Sequence, residues 1–171
     1  MTNHSIGVRV SRWLAVRSSL ALAMAFAVVL ASACTSKATQ PAASNVPWPD
    51  ASAVSAASLA QELKTTVDTD KPVVLYMGPP ALFAMGHVPG AVSHGPASDP
   101  EGVAAIKAWA QALPKTSKLV IYCGCCPLED CPNVRPAFVA LRGMGFTNLR
   151  VLVLPNNFTI DWAGTGLPVE R

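Results

Sequence analysis

Four of the five cysteines in this chain fall within nine residues, Cys123-Gly124-Cys125-Cys126-Pro127-Leu128-Glu129-Asp130-Cys131. They follow at once on the apolar, β-branched run Leu119-Val120-Ile121-Tyr122, which reads as a buried strand, and they precede a helix expected from Pro136 to Arg142. The thiols therefore sit on a strand-to-helix loop. In an open α/β sheet, ligands bind outside the carboxyl ends of the strands. A thiol at that position is made more acidic by loop N–H groups and by the positive end of the following helix. The spacing points to sulfur chemistry, with a loop stapled by disulfides as the structural alternative.

The elements around this loop alternate. A helix is expected from Ser55, with Leu59, Leu63 and Val67 four apart and Ser55 or Ser58 as its cap. Val73 to Met77 reads as a strand ended by Gly78-Pro79-Pro80, Leu82-Phe83 as one helical turn, and Ala91-Val92 as a brief strand. Ser98-Asp99-Pro100-Glu101 carries a cap, an early proline and a Glu three residues after the Ser, so a helix should run from there to Leu113 and stop at Pro114. Gly143 and Gly145 are candidate stops for the helix after the cysteines. Leu149 to Leu154 is a further strand, and Phe158 to Trp162 a short helical turn. The strands are continuous apolar runs, as expected for a parallel sheet covered on both faces. The predicted class is α/β in three layers.

The first 33 residues have the layout of a secretory signal peptide. Arg9, Arg12 and Arg17 form a positive leader, Leu20 to Leu30 is an unbroken run of apolar and small side chains, and Ala31-Ser32-Ala33-Cys34 offers small residues for cleavage. This segment resembles a bacterial lipobox, which implies Cys34 as the lipidated first residue of the mature protein. Thr35 after it, rather than Asp, implies passage to the outer membrane. Ordinary cleavage to a soluble periplasmic protein is the alternative. The chain has 13 Lys+Arg against 10 Asp+Glu, but the three leader arginines account for the excess, so the remainder is balanced. That balance excludes a nucleic-acid footprint and a polybasic membrane patch. Residues 34–54 are rich in Ala, Ser, Pro and Thr and read as a flexible tether. Residues 55–171 then form one domain.

Three segments within that domain carry a family likeness. Gly86-His87-Val88-Pro89-Gly90-Ala91, the strand end Val120-Ile121-Tyr122-Cys123, and Gly145-Phe146-Thr147-Asn148-Leu149 followed by Asp161-Trp162 and Gly166-Leu167-Pro168-Val169 resemble, in order and spacing, the motifs of rhodanese-like domains. The likeness spans about Lys71 to Glu170. It implies a parallel sheet flanked by helices, an active loop curled round a sulfur or anion, and transfer of sulfane sulfur through a cysteine persulfide. Cys123 is then the nucleophile, and Gly124, Asn133 and Arg135 surround the substrate anion. The chain departs from the family pattern at Tyr76 and Gly78, which stand where an Asp and an Arg are usual. Its loop is also longer and carries three extra cysteines with Glu129 and Asp130.

Only the thiolate attacks, so the pKa of Cys123 must fall from the free value of about 8.5. Glu129 and Asp130 oppose that unless they face solvent. Cys125, Cys126 and Cys131 have three readings: a resolving thiol, with Cys126 the first choice; a Cys126–Cys131 disulfide; or a soft-metal loop. The sulfur-transfer reading calls for no metal and no cofactor, only a small sulfur donor and a thiol acceptor, with the membrane reached through the lipid anchor alone. The rival is a catalytically silent binding module whose loop is braced by disulfides or holds Cu(I) or Zn. His87 is expected to tie down backbone groups, His94 has a faint claim as a site residue, and Trp109 and Trp162 read as packing aromatics. No arginine stands six residues after Cys123 or Cys126, which excludes a phosphatase loop of the C-x5-R type.

Overall fold

A computed structural model of the chain describes residues 52–171. The segment before them, with the leader and Cys34, lies outside the described residues. Five strands form one all-parallel sheet in the order β1-β5-β4-β2-β3: β1 (Ser52–Ser55), β2 (Val73–Tyr76), β3 (Val92–Ser93), β4 (Leu119–Tyr122) and β5 (Leu149–Val153). The helices are α1 (Ala56–Thr65), α2 (Pro80–Met85), α3 (Pro100–Ala110), α4 (Val134–Gly143) and α5 (Phe158–Asp161). Among the described residues no helix is long and apolar enough to cross a membrane.

Side chains alternate between the faces of a strand, and the two cores follow that alternation. Leu119, Ile121 and Cys123 point with Leu75 and Met77 into a layer filled by Ile106 and Ala110 of α3 and by Val134, Ala137, Phe138 and Leu141 of α4. Val120 and Tyr122 point with Val74 and Tyr76 to the other face, against Leu59 of α1 and Trp162. The expected three layers are present.

Connections leave β2 and β4 in opposite directions. The chain passes from β2 through α2 to β3 on one side, and from β4 through α4 to β5 on the other. Such a divergence opens a crevice at the carboxyl ends of the two strands, where α/β proteins place their ligands. Cys123 is the first residue after β4, at that crevice.

Several local expectations hold. Ser55 caps α1 by accepting from Ser58 N at 3.2 Å. Gly145, at φ +90°, stops the chain after α4, where Phe146 N donates back to Leu141 O at 3.2 Å, a left-handed turn that glycine suits. Others do not hold. The capping box at Ser98 is absent: Ser98 Oγ donates to Asp99 Oδ1 at 3.3 Å, and α3 begins after Asp99 without a side-chain cap. Helix α3 ends at Ala110, three residues before Leu113. Strand β1 occupies Ser52–Ser55, where the polar tether was expected to end. It is an edge strand with one buried apolar residue, Val54, and its register on β5 supplies the order that its own sequence does not signal.

Candidate active site

Cys123 is 2% exposed at the end of β4, and the ladder runs up to it, with Met77 N donating to Tyr122 O at 3.0 Å. Gly124 then takes φ +75°, and its carbonyl accepts from Phe158 N at 3.0 Å. A Cβ on Gly124 would stand 2.8 Å from Phe158 Cβ, so this turn demands glycine both by conformation and by space. The long loop is not loose. A short helical turn, Leu128–Asp130, sinks Leu128 into the core, while Glu129 and Asp130 face solvent. The two carboxylates thus avoid the thiols.

All four loop thiols are free and gathered. Cys123 Sγ lies 3.1 Å from Cys125 Sγ, and Cys125 Sγ lies 3.1 Å from Cys126 Sγ. The sulfurs of Cys123, Cys125 and Cys131 all fall within 4.8 Å of one another. Cys126 is outside that group, so the thiols nearest Cys123 are Cys125 and Cys131, not the Cys126 that sequence reasoning favoured. Cys131 reaches its place because the chain turns into α4 directly after it, where the backbone N–H groups of Asn133 and Val134 donate to its sulfur. These are orphan donors of a helix start.

Asn133 is 3% exposed and occupies the N-cap position without capping. Its Oδ1 accepts from Ser98 N at 2.8 Å, and its Nδ2 donates to Cys123 Sγ at 3.4 Å. Because the oxygen is taken by a backbone donor, the amide must present N–H to the sulfur, which favours the charged form of the thiol. Arg135 does not join it. The buried face of α4 is Val134, Ala137, Phe138 and Leu141, so Arg135 lies on the exposed side and makes no hydrogen bond or ion pair among the described residues. The expectation that Arg135 turns inward is corrected by that helix phase.

Two of the thiols are strongly coupled. Hydrogen bonding with Cys123, joined by the N–H groups of Asn133 and Val134, lowers Cys131 from 9.0 to about 5, against the opposing effect of burial. The same bond to Cys131, together with burial, pushes the Cys123 thiol up. The pair therefore holds one negative charge at neutral pH, on the sulfur at the start of α4. Burial first, then contact with Cys125, also pushes Cys126 up.

Tyr76 and Gly78, the two departures from the family pattern, lie beside the nucleophile candidate. A Cβ on Gly78 would stand 2.5 Å from the Tyr76 hydroxyl and 2.6 Å from Cys123 Sγ. A larger residue at position 78 cannot coexist with Tyr76 in this placement. Tyr76 donates to Pro79 O at 3.1 Å and stays neutral, its pKa raised above all by burial. Tyr76, Cys123 and Gly124 line a cavity of about 230 Å³ with Met85, Phe158 and Arg171. Arg171 is the cation on this lining. Sequence reasoning missed it because no motif extends to it.

His87 does what its turn suggested. Its Nδ1 lies 2.9 Å from Phe83 O, its ring stacks on Phe83 at 3.7 Å, and its backbone pairs with Glu170. His94 stacks on the half-buried Trp109 at 5.0 Å, and burial lowers its pKa. Trp162 is fully buried, donating through Nε1 to Pro168 O at 2.7 Å.

No family model and no curated protein matches the chain. Solved structures do. The Alr3790 protein from Anabaena sp., in a crystal structure, is similar at TM-score 0.51 and 20% identity, over 68% of this chain and 81% of that one. A solution NMR structure of the rhodanese-like domain from the same protein gives TM-score 0.51 at 18% identity, over 69% and 77%. At that identity the likeness bears on the fold, and it agrees with the five parallel strands and their two layers of helices. The chain has the rhodanese-like α/β fold, with a cluster of cysteines on the loop after its central strand.

Proposed function

We propose that the chain is an exported sulfurtransferase that carries sulfane sulfur as a persulfide on Cys123. One observation carries the reading: Cys123 stands where the connections leaving β2 and β4 diverge, beside an Asn133 amide fixed as donor, on the wall of a cavity open to a small substrate. Cys123 passes its proton to the Cys131 thiolate and attacks the sulfane sulfur of the donor. The new S–S bond forms as the donor's S–S bond breaks, and the electron pair leaves with sulfite or a thiolate. Gly124 and Asn133 flank the sulfur, and Arg171 takes the part expected of Arg135 for the leaving anion. An acceptor thiolate then attacks the outer sulfur and Cys123 departs as thiolate, so the cycle is thiol exchange with no cofactor.

The test is mass spectrometry of the reduced protein after exposure to thiosulfate or a polysulfide. Cys123 should gain one sulfur atom; Cys123→Ser should abolish the gain and Cys125→Ser should not. No labelled cysteine with any donor would remove the enzyme reading.

The same proposal puts the domain on the periplasmic side of the cell envelope, released from a signal peptide (1–33) and held at the outer membrane through a lipid on Cys34. The leader's charge and its lipobox-like end support this. Cys34→Ser should move the protein from the membrane fraction to the soluble one. Unchanged partitioning would remove the anchor.

A further inference from the structure

We infer that the trio Cys123, Cys125 and Cys131 is a binding site for a single Cu(I) ion, three-coordinate and all-sulfur. The inference goes beyond sulfur transfer, which uses Cys123 as a nucleophile and gives Cys125 no part. Its ground is convergence. Two sulfurs bound to one ion at about 2.3 Å each lie no more than about 4.6 Å apart. The three sulfurs here all fall within 4.8 Å of one another, so they reach one ion with a small closing movement.

The donor set selects the ion. Glu129 and Asp130 face solvent, His87 is occupied with Phe83, and His94 lies on Trp109, so no oxygen or imidazole nitrogen joins the sulfurs. Thiolates without harder partners select soft ions, Cu(I) above all. Structural zinc wants four ligands in a tetrahedron, and Cys126 stands outside the trio. Three thiolates around a monovalent ion leave net negative charge. The Asn133 amide on Cys123 and the backbone N–H groups of Asn133 and Val134 on Cys131 are placed to spread it. Outer-shell donors of this kind orient metal ligands and tune their affinity. Half-buried Cys125 gives the ion a way in from solvent. Binding releases the thiol protons to water and changes no oxidation state.

The experiment is anaerobic titration of the full reduced chain with Cu(I) against a chromogenic chelator, with X-ray absorption on the loaded protein. One ion per chain in a shell of three sulfurs is expected. Cys125→Ser should lower the affinity by more than about 100-fold, beyond the loss from an outer-shell partner, while still accepting sulfur on Cys123. Cys126→Ser should leave copper binding unchanged. Circular dichroism of each variant separates loss of ligand from loss of fold, and Cys125, half-buried and outside the core, is the substitution the fold tolerates best. An equal loss in Cys126→Ser, or tighter binding of Zn(II) through all four sulfurs, would overturn the site. Because Cys125→Ser is read for copper and for persulfide separately, failure of one inference leaves the other standing.

Discussion

At the scale of single residues, the loop divides its labour between two thiols with different surroundings. Cys123 has the Asn133 amide and the Cys125 backbone N–H as donors against deep burial; Cys131 has two backbone donors at a helix start, joined by the thiols of Cys123 and Cys126. The charge therefore rests on Cys131, with consequences for stability. A thiol lowered in the fold from 9.0 to about 5 is ionised there while the unfolded chain still holds its proton. The unfolded state binds more protons between those values, so stability rises with pH across that window. The contribution of Cys131 is complete above the unfolded thiol value and is lost as pH falls through about 5. Cys123, pushed the other way, turns the trend downward above the unfolded value. Denaturant midpoints measured from about pH 5 to about pH 8.5 should climb, and Cys131→Ser should flatten the climb. Burial of His94 adds a smaller rise of the same sign below its ordinary value, so a slope that survives Cys131→Ser above about pH 7 would place the thiolate on another sulfur. Neither this pairing nor the role of Gly78 was legible in the string. The order of cysteines says which thiols are near in sequence, whereas the start of α4 decides which are near in space.

At the scale of elements, what the sequence showed and what it hid have physical reasons. Strands β2 and β4 are central and buried on both faces, so each is a continuous apolar run that must be strand, and β5 breaks the pattern only at half-buried Arg150, which pairs with Glu62 at 2.8 Å. Edge strand β1 buries one face of one residue and therefore reads as polar tether. Arg135 was misplaced for a similar reason: the phase of α4 is set by Val134, Ala137, Phe138 and Leu141, and the helix begins two residues before the expected Pro136. The extra length of the active loop is the least legible part. Its order comes from Leu128, an apolar residue among charged neighbours that packs beside Cys131 and Val134 in the α3/α4 core. Leu128→Ala should cost about 2 kcal/mol, the low end for a buried leucine because a loop can settle into the space. Its more telling effect should be local. Proteolysis between Cys126 and Cys131 should quicken well beyond the change in global unfolding, since the anchor holds the loop and not the sheet. A variant equally protected there would mean that the thiols themselves order the loop.

At the scale of the whole molecule, the site depends on a clasp that closes the described domain on itself. The turn Gly86–Ala91 and the segment Gly166–Glu170, two of the three segments that carried the family likeness, are bound to each other. His87 N donates to Glu170 O at 2.9 Å, Glu170 N donates to His87 O at 3.0 Å, and Gly90 N donates to Glu170 Oε2 at 2.6 Å. Their likeness in sequence therefore reflects a shared structural task. Trp162 is the centre of this clasp, fully buried, stacked on Phe158 at 6.2 Å and hydrogen-bonded to Pro168 O. Phe158 in turn walls the cavity beside Cys123 and fixes Gly124 through its backbone N–H. Trp162→Ala should remove about 3–5 kcal/mol, the cost of deleting a buried aromatic, out of the roughly 5–15 kcal/mol that holds a domain folded. Trp162→Phe keeps an aromatic ring against Phe158 but forfeits the Nε1 bond and part of the indole's volume, so it should stay folded at a smaller cost. Denaturant titration of both variants gives the stability difference, and the sulfur-loading assay gives the functional one. Trp162→Phe should load Cys123 nearly as well as the parent chain, whereas Trp162→Ala should lose loading as Phe158 and Gly124 lose their support. Equal loading in both, with Trp162→Ala still folded, would show that the cavity wall stands without the clasp.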